Sequence, residues 1–379
     1  MGGRIVKRVA YIFPTLHHYR MPFHRRLRTL LAAKNVDYHV VYCRPGGENL
    51  LKQDAVEIEW GTCVGRTALF GKLLYQQALA EAWKSDLVIV QQENKLALNY
   101  LLNFLSTVGL KKVAFFGHGR NFQSRRPDGL AERWKRLWAT RVDWWFAYTD
   151  QSRRHVEALG FPPERITVFN NAVDTGGLRA AADGLSEREA AQALAALGMR
   201  GGNVGIFVGG LYPDKRLEFL VDAAERVRAL VPDFELLVVG GGSDMAKLQA
   251  LAVSRPWLFV AGPRFGREKA ALMRGAKLFL MPGLVGLAVL DAAAAALPVV
   301  TTAFPWHSPE FAYLEHGVSG VVVQDWQSAD AYGGAVAELM LDDAGREALA
   351  RGARAMASRY TIEAMAERFT TGVLAALEA

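Results

Sequence analysis

The sequence is poor in cysteine and has no long apolar run. Its 379 residues include only two cysteines, Cys43 and Cys63, which excludes a disulfide framework. Neither has CxxC or Cys/His neighbours at zinc-ligand spacing, so we expect both side chains to be buried and inert. No run approaches the roughly 20 apolar residues that span a bilayer, and the first residues turn polar too soon for a signal peptide. These absences predict a cytoplasmic protein whose membrane contact, if any, is peripheral.

Acidic residues are scarce in the first half of the chain. Residues 1–175 carry 26 Lys and Arg against 15 Asp and Glu, whereas the whole chain carries 45 against 38. The excess is concentrated at Arg20, Arg25, Arg26, Arg28, Arg120, Arg125, Arg126, Arg133, Lys135 and Arg136. It predicts an anionic partner, but nucleic acid is not favoured because no helix-turn-helix, finger or RNA-binding motif accompanies it. An anionic membrane leaflet or a phosphate-bearing acceptor explains the basic excess better than nucleic acid does. A basic face that contacts only solvent is an equally good explanation.

Four tryptophans lie among basic residues shortly before the middle of the chain. Trp134, Trp138, Trp144 and Trp145 interleave with Arg133, Lys135, Arg136 and Arg141. The pattern suits an amphipathic element on a membrane interface. A tryptophan-rich core stripe is the commoner arrangement, and we favour it.

Short apolar runs rich in β-branched residues alternate with segments of helical periodicity along the whole chain. The predicted strands are 6–13, 37–43, 87–91, 112–117, 144–149 and 166–169, then 204–209, 235–240, 258–261, 277–281, 298–302 and 320–323. This alternation is typical of parallel sheets covered by helices on both faces. We therefore predict an α/β protein with two doubly wound, Rossmann-like domains.

The domain boundary is predicted where a glycine-ended, Ala/Glu/Arg-rich stretch separates the two sets of strands. We assign residues 1–175 to the first domain, 176–202 to a linker region and 203–360 to the second domain. The last helix, 361–379, has no strand after it, and we expect it to return to the first domain. Ligands of doubly wound sheets bind at the carboxyl ends of the strands, so we expect the two domains to face each other across a cleft.

The second half carries an ordered series of motifs. A strand is followed by Gly209–Lys215 (GGLYPDK), and PDFEL at 232–236 leads into VGGG at 239–242. FVAGP at 259–263, PGLVGLAVLDA at 282–292, LPVVTT at 297–302 and SPE at 308–310 complete the series. Together they resemble the donor-binding domain of GT-B glycosyltransferases of family GT4. The resemblance implies the GT-B fold and a nucleotide-sugar donor.

The resemblance also implies roles for individual residues. Lys215 would place its charge on the diphosphate that departs during transfer, and the helix start at Gly286-Leu287 would offer free N–H groups to it. Asp291 matches the second glutamate of the family's EX7E motif, which accepts hydrogen bonds from the ribose. The predicted donor-binding residues are Gly209, Gly210, Lys215, Arg216, Arg264, Gly283, Gly286, Leu287 and Asp291.

Three positions depart from the family pattern. Gly283 stands where the first EX7E glutamate is expected, Gly210 replaces an arginine, and Arg216 replaces a glycine. Arg216 or Arg264 would then have to replace the lost positive charge. These departures leave retention of anomeric configuration unproven, and they keep a non-catalytic nucleotide-sugar-binding relative as an alternative.

The first half resembles the family's acceptor domain more loosely. His118, flanked by two glycines after a strand, resembles the histidine that contacts the transferred sugar, and we predict a catalytic role for it beside Lys215. The loop after the first strand lacks the usual glycine-rich turn and offers imidazole, phenol and guanidinium donors instead. The predicted acceptor-binding residues are His17, His18, Tyr19, Arg20, Glu93, Asn94, Arg120 and Asn121.

These residues predict a glycosyltransferase that moves a sugar from a nucleotide-diphosphate sugar to a hydroxyl of a glycan, lipid-linked or small-molecule acceptor. We expect retention, a role in cell-surface polysaccharide or lipopolysaccharide assembly, and no metal or other cofactor, because no DxD-like site is present. An inverting mechanism with His118 or Glu93 as general base stays open. A secondary-metabolite glycosyltransferase or a nucleotide-sugar epimerase of the same fold would also fit these residues.

Overall fold

The computed structural model describes residues 6–44, 56–69, 73–120 and 129–379. The chain divides into two compact units. Unit 1 consists of the chain up to Asp174 together with Ile362–Ala379, and unit 2 consists of Thr175–Thr361. Each unit is an α/β domain built on one main sheet with helices packed against it, as the alternating sequence pattern predicts.

Unit 1 is built on a parallel sheet that, among the described residues, has seven strands in the order β3-β2-β1-β6-β7-β8-β9. Its strands are β1 (Lys7–Phe13), β2 (Val36–Cys43), β3 (Gly61–Val64), β6 (Leu87–Gln91), β7 (Lys112–Gly117), β8 (Trp144–Ala147) and β9 (Ile166–Val168). A separate antiparallel hairpin joins β4 (Arg66–Leu69) to β5 (Leu73–Gln76). Its helices are α1 (Met21–Ala32), α2 (Leu79–Trp83), α3 (Ala97–Thr107), α4 (Leu130–Ala139) and α5 (Asp150–Ala158).

Unit 2 contains a six-stranded parallel sheet in the order β12-β11-β10-β13-β14-β15. The strands are β10 (Val204–Val208), β11 (Glu235–Val239), β12 (Leu258–Gly262), β13 (Leu278–Met281), β14 (Val299–Thr302) and β15 (Gly320–Val323). The helices are α6 (Gly176–Asp183), α7 (Glu187–Ala195), α8 (Leu217–Leu230), α9 (Met245–Ala252), α10 (Gly266–Arg274), α11 (Ala288–Ala294), α12 (Ala329–Leu341) and α13 (Asp343–Arg359). The strand order reverses between β10 and β13, and doubly wound sheets bind ligands at such a reversal.

The stretch 176–202, which its composition predicts to be a linker region, is folded in unit 2. It forms α6 and α7, and both helices pack on α10. A reciprocal capping box between Ser186 and Glu189 fixes the start of α7. The alanine-rich composition of this segment therefore reflects close helix packing.

The last helix, α14 (Ile362–Glu378), packs on α1, β8 and β9 of unit 1. The Phe369 ring stacks on Phe146 of β8 with centroids 4.0 Å apart. At Gly372 a Cβ would overlap Thr167, so a side chain there would push the helix off the sheet. Burial of the α14 apolar face holds both chain segments of unit 1 together.

The tryptophan-rich segment divides between core and surface. Trp144 and Trp145 lie in β8 and are buried, with the Trp145 indole N–H donating to the Ala139 carbonyl at 2.7 Å. Trp134 on α4 is exposed and donates to the Tyr100 hydroxyl at 3.0 Å. The predicted core stripe is thus confirmed for β8, whereas α4 turns an aromatic side chain outward.

The sequence pattern does not predict three short strands of unit 1, and it wrongly predicts the burial of one cysteine. β3, β4 and β5 are each four residues long and carry mostly half-buried or exposed side chains, so the apolar alternation that marks a strand is weak. Cys43 is buried in β2, but the expectation of burial is wrong for Cys63, which lies on the edge strand β3 and is exposed.

Candidate functional site

Two glycine-rich loops, which follow β10 and β11, are hydrogen-bonded to each other at the carboxyl edge of the unit 2 sheet. The Gly209 N–H donates to the Val239 carbonyl at 3.0 Å, and the Leu211 N–H donates to the Gly241 carbonyl at 2.9 Å. A Cβ at Gly240 would overlap the Gly209 carbonyl, so the loops after β10 and β11 approach this closely only because that position is glycine. The backbone after β10 is therefore fixed before any ligand binds.

The loop after β13 packs against the same β10 loop from the other side. The Leu284 N–H donates to the Asp214 carbonyl at 2.9 Å. A Cβ at Gly283 would overlap the backbone carbonyl of Asp214 and crowd Lys215. The glutamate expected at this position from the family pattern has no room in this backbone arrangement.

Lys215 bridges the two loops that flank the strand-order reversal. It ends the short 3-10 helix Pro213–Lys215, and its Nζ donates to the Leu284 carbonyl at 2.5 Å. The side chain is half-buried, and burial lowers the pKa of its ammonium group to about 8. A positive charge with restricted motion therefore lies between the β10 and β13 loops.

Arg216 and Arg264 are engaged in packing rather than pointing free donors at one site. The Arg216 guanidinium lies 3.9 Å from the centroid of the Phe219 ring and donates to the Trp326 carbonyl at 2.5 Å. Its backbone is left-handed, with φ of 56°, where the family pattern has glycine. Arg264 follows the edge strand β12 and pairs with Glu268, with Nε to Oε1 at 2.6 Å. The Arg216 side chain, which follows Lys215 in the chain, is thus held by the Trp326 carbonyl and the Phe219 ring, and the Arg264 side chain is held by Glu268.

Asp291 lies in α11 and forms an ion pair that sequence reasoning misses. The Lys269 Nζ on α10 donates to the Asp291 Oδ2 at 3.1 Å, and both side chains keep about a fifth of their surface exposed. Lys269 lies in a helix with an ordinary amphipathic pattern, so its local sequence does not identify it as a partner of Asp291. The pair holds an accessible carboxylate near the start of α11.

A buried histidine, also missed by sequence, fixes the chain that leads into α11. The His307 Nδ1 accepts from the Val285 N–H at 2.9 Å, and its Nε2 lies 2.8 Å from the Thr302 carbonyl, to which it donates. Burial lowers the pKa of its imidazole to about 4, so the ring is neutral at pH 7. Its ring also stacks on Phe311 with centroids 4.0 Å apart. These contacts position Gly286 and Leu287 at the start of α11.

In unit 1, polar residues follow five neighbouring strands at the carboxyl edge of the sheet. Arg20 follows β1, Gln92 follows β6, His118 follows β7, Tyr148 follows β8 and Asn171 follows β9. The Tyr148 N–H donates to the Gly117 carbonyl at 3.2 Å, and the Asn171 N–H donates to the Tyr148 carbonyl at 2.9 Å. Backbone hydrogen bonds thus join the ends of β7, β8 and β9, and we call the five polar residues the Arg20 row.

Arg20 is the cation of this row. Its Nη1 donates to the Asn171 Oδ1 at 2.5 Å, and its guanidinium lies 5.1 Å from the Tyr19 ring and 5.9 Å from the Tyr148 ring. Burial lowers the pKa of the Arg20 guanidinium, but the nearby tyrosines raise it by more, so the net pKa lies above its ordinary value and the group stays charged. His17 lies parallel to Tyr19 at 5.8 Å, and His18 begins the 3-10 helix His18–Arg20.

His118 is half-buried and neutral. Its ring meets the Tyr148 ring edge-on with centroids 4.1 Å apart. Burial, with Lys135 and Arg20 nearby, lowers the pKa of the imidazole to about 3. Gly119 has a φ of 79°, and a Cβ there would crowd Val156 and His155. The glycine is thus required by the turn that carries His118.

The remaining predicted acceptor residues lie apart or have partners. Glu93 pairs with Lys95 at 2.8 Å, and the Asn94 carbonyl accepts from the Tyr100 hydroxyl at 2.8 Å. Arg120 is exposed, and Asn121 lies outside the described residues. The described ranges contain no cluster of three or more His, Cys, Asp or Glu side chains that could hold a metal ion.

Two family models match consecutive parts of the chain. Residues 22–176 match the model described as Glycosyltransferase Family 4, and residues 202–342 match the model described as Glycosyl transferases group 1. Together they take in most of the chain. The protein is a group 1 glycosyltransferase. The resemblance predicted from the motifs is thereby confirmed at the level of the family.

Individual relatives of this glycosyltransferase are distant. The D-inositol 3-phosphate glycosyltransferase of Thermobispora bispora is 30% identical over 244 residues, which is 60% of this chain and 54% of the relative. The match thus spans about half the length of that curated relative.

Solved structures share this fold over nearly the whole chain. The Anabaena protein HepE in complex with UDP superposes with a TM-score of 0.72 at 17% identity, covering 97% of this chain and all of that one. WaaG, a glycosyltransferase involved in lipopolysaccharide biosynthesis, superposes with a TM-score of 0.64 at 17% identity, covering 96% of this chain and 98% of its own. At such identity these similarities establish the fold alone, and they confirm the predicted GT-B class.

Proposed function

We propose that this glycosyltransferase transfers a glycosyl group from a nucleotide-diphosphate sugar to a hydroxyl of its acceptor. The observation that supports this most is the position of Lys215 at the β10/β13 reversal, beside the loop that leads into α11. Similar structures were determined with UDP, so UDP is the nucleotide we test first. Unit 2 would bind the donor and unit 1 the acceptor.

The proposed chemistry uses the protein mainly for electrostatic stabilisation. As the bond between the anomeric carbon and the diphosphate oxygen breaks, the Lys215 ammonium and the N–H groups at the start of α11 stabilise the charge that develops on the diphosphate. The acceptor oxygen bonds to the anomeric carbon on the same face, and its proton passes to the departing phosphate oxygen. Asp291 would accept hydrogen bonds from the ribose hydroxyls.

Retention is the outcome we favour over inversion. An inverting reaction needs a general base in unit 1, and a pKa near 3 makes the His118 imidazole a weak one. Glu93, the second candidate base, is held by Lys95. We propose instead that neutral His118 hydrogen-bonds to the transferred sugar.

The proposed cellular role is the assembly of a cell-surface polysaccharide or lipopolysaccharide. The similarity to WaaG supports this role, and a small-molecule or secondary-metabolite acceptor is the alternative. Both matched family models describe glycosyltransferases, which favours transfer over epimerisation.

A direct test is the release of UDP from UDP-sugars in the presence of candidate acceptors. We expect turnover without added metal and full activity in EDTA, because Lys215 and helix N–H groups supply the positive potential. Turnover that chelation abolishes and Mg²⁺ or Mn²⁺ restores would contradict the metal-independent mechanism. Binding of UDP-sugars without any transfer would indicate a non-catalytic relative.

We also propose that unit 1 contacts anionic membranes through α3 and α4. Large apolar side chains on and beside these helices are exposed, namely Trp83, Leu101, Phe104, Val108, Leu110, Trp134 and Leu137. Lys111 lies against the Trp83 ring, and Arg133 is exposed on α4. The combination of apolar and cationic side chains suits the interface of an anionic leaflet. No described helix is long and apolar enough to cross the bilayer, and Arg125 and Arg126 lie outside the described residues.

Vesicle co-sedimentation tests this contact. We expect binding to rise with the fraction of anionic lipid, and the double variant Arg133→Gln/Arg136→Gln to lose about 1 kcal/mol, or about fivefold in affinity, per residue. Arg274→Gln/Arg351→Gln, which removes two exposed arginines of unit 2, is the matched control and should bind normally. Equal binding to neutral and anionic vesicles would show that the basic face only meets solvent.

A further inference from the structure

Gln92, at the end of β6, is a buried residue whose side-chain amide has no hydrogen-bond partner among the described residues. The residue is 7% exposed, and neither its Oε1 nor its Nε2 has a hydrogen-bond partner within the part of the chain that the structure describes. Buried amide groups are nearly always hydrogen-bonded, because an unpaired one loses its bonds to water and gains none in return. The unpaired carboxamide of Gln92 therefore indicates that a ligand supplies its hydrogen-bond partner.

The surroundings of Gln92 place it in the row of strand ends described above. Its N–H donates to the Phe116 carbonyl at 3.1 Å, which fixes its backbone against the end of β7. A Cβ at Gly117 would lie 3.7 Å from the Gln92 Cβ, so the glycine leaves the space beside Gln92 without a side chain. His118, the residue proposed to contact the sugar, comes next in the chain.

The charge of Arg20 is not paired with a carboxylate in the described part of the chain. Among the described residues no carboxylate forms an ion pair with Arg20, whose contacts are a neutral amide oxygen and aromatic rings. Elsewhere in the same sheet, Arg8 pairs with Glu81 at 3.1 Å and Lys7 pairs with Asp86 at 3.0 Å. An arginine held in place without an acid is suited to bind an anion from solution.

Tyr148 connects the guanidinium to the segment beside Gln92. Its ring lies 5.9 Å from the Arg20 guanidinium and 4.1 Å from the His118 ring, and its N–H donates to the Gly117 carbonyl. Arg20 and Gln92 themselves follow β1 and β6, which are neighbours in the sheet. The charged group and the unpaired amide thus belong to one locality of unit 1.

We propose that Gln92 and Arg20 form one acceptor subsite, in which the guanidinium binds an anionic group of the acceptor and the carboxamide hydrogen-bonds to its hydroxyls. A carboxamide both donates and accepts, which matches the hydroxyl group. The acceptor class is accordingly a sugar or cyclic polyol that carries a phosphate or carboxylate. This inference rests on the proposed glycosyl transfer, and it replaces Glu93 and Asn94 as the acceptor contacts after β6.

The first test compares two buried glutamines by thermal unfolding. Gln76 is 1% exposed, and its Nε2 donates to the Phe13 carbonyl at 3.1 Å, so it is the matched control with a satisfied amide. Gln92→Met removes unpaired polar atoms at nearly constant shape and should keep or raise Tm, whereas Gln76→Met should lower it. A fall in Tm for Gln92→Met as large as that for Gln76→Met would show an internally satisfied structural residue and overturn the proposal.

The second test measures binding by calorimetry with D-inositol 3-phosphate, glucose 6-phosphate, glucuronate and inorganic phosphate. We expect at least one hydroxyl-bearing anion to bind the wild-type protein and to bind Gln92→Met about three- to thirtyfold more weakly, as expected for one or two lost hydrogen bonds. Inorganic phosphate should not distinguish Gln92→Met from wild type, and Arg20→Met should weaken every anion.

The outcomes separate this inference from the proposed function. If UDP binds normally but no panel member binds more weakly to Gln92→Met, the subsite is wrong while glycosyl transfer stands. The same conclusion follows if no panel member binds the wild-type protein. If UDP itself fails to bind the wild-type protein, the proposed transfer is wrong first.

Discussion

Lys215→Met is expected to lower kcat by about 100- to 1000-fold, the loss seen when one preorganised donor to a developing negative charge is removed. Lys215 is half-buried between the β10 and β13 loops, where its charge is less screened than in water. Burial lowers the pKa of its ammonium group to about 8. Because the charged form is required and this pKa is that of the ligand-free protein, kcat/KM for the donor should fall as pH rises through about 8, and this alkaline limb should be absent from the variant.

The control is Lys247→Met, which removes an exposed lysine of the same unit that pairs with Glu218. It should leave kcat and its pH profile unchanged. Circular dichroism and Tm test whether Lys215→Met is folded, and we expect it to be, because methionine is also unbranched and fills much of the same volume. An unchanged kcat in folded Lys215→Met would remove Lys215 from the mechanism.

Asp291→Ala is expected to weaken donor binding by about ten- to several-hundred-fold, because charge-assisted hydrogen bonds contribute roughly 1.5–3 kcal/mol each. The Lys269 ion pair holds the Asp291 carboxylate while leaving it partly exposed. Asp291→Asn keeps an accepting oxygen without the charge and should give an intermediate loss. Calorimetric titration of a UDP-sugar measures both, and the acceptor KM should barely change.

Lys269→Met separates the ribose contact from the ion pair. If Asp291 binds ribose directly, Lys269→Met should weaken donor binding only modestly, because the carboxylate is then less well oriented but still present. The alternative is that Asp291 only stabilises α11 and its packing on α10. In that case Asp291→Ala and Lys269→Met should both lower Tm and leave the affinity for the donor unchanged. That second result would mean that the donor pocket is misplaced.

Motif order predicts much of the fold and the donor loops. The predicted strands agree with the observed ones to within a few residues at each end. A strand that is buried on both faces is a continuous apolar segment, which makes it visible in the sequence. The confirmed family assignment rests on the series between Gly209 and Glu310. The site roles of Lys215, Asp291 and His118 remain predictions that the experiments above address.

Contacts between residues distant in sequence account for what the sequence could not predict. Lys269 meets Asp291 across two helices, and His307 reaches back to Val285, so neither is marked by local spacing. Arg216 looks like a free cation in the sequence but packs on Phe219 and Trp326. Gln92 is distinguished from Glu93 and Asn94 only by its burial and missing partners.

A crystal structure of the protein with bound UDP would show whether the loops around Lys215 form the donor site. We predict that the diphosphate lies at the β10/β13 reversal, with Lys215 and the start of α11 as its contacts and Asp291 within hydrogen-bond distance of the ribose. Density for UDP elsewhere in unit 2, or in unit 1 at the Arg20 row, would contradict the proposed donor site.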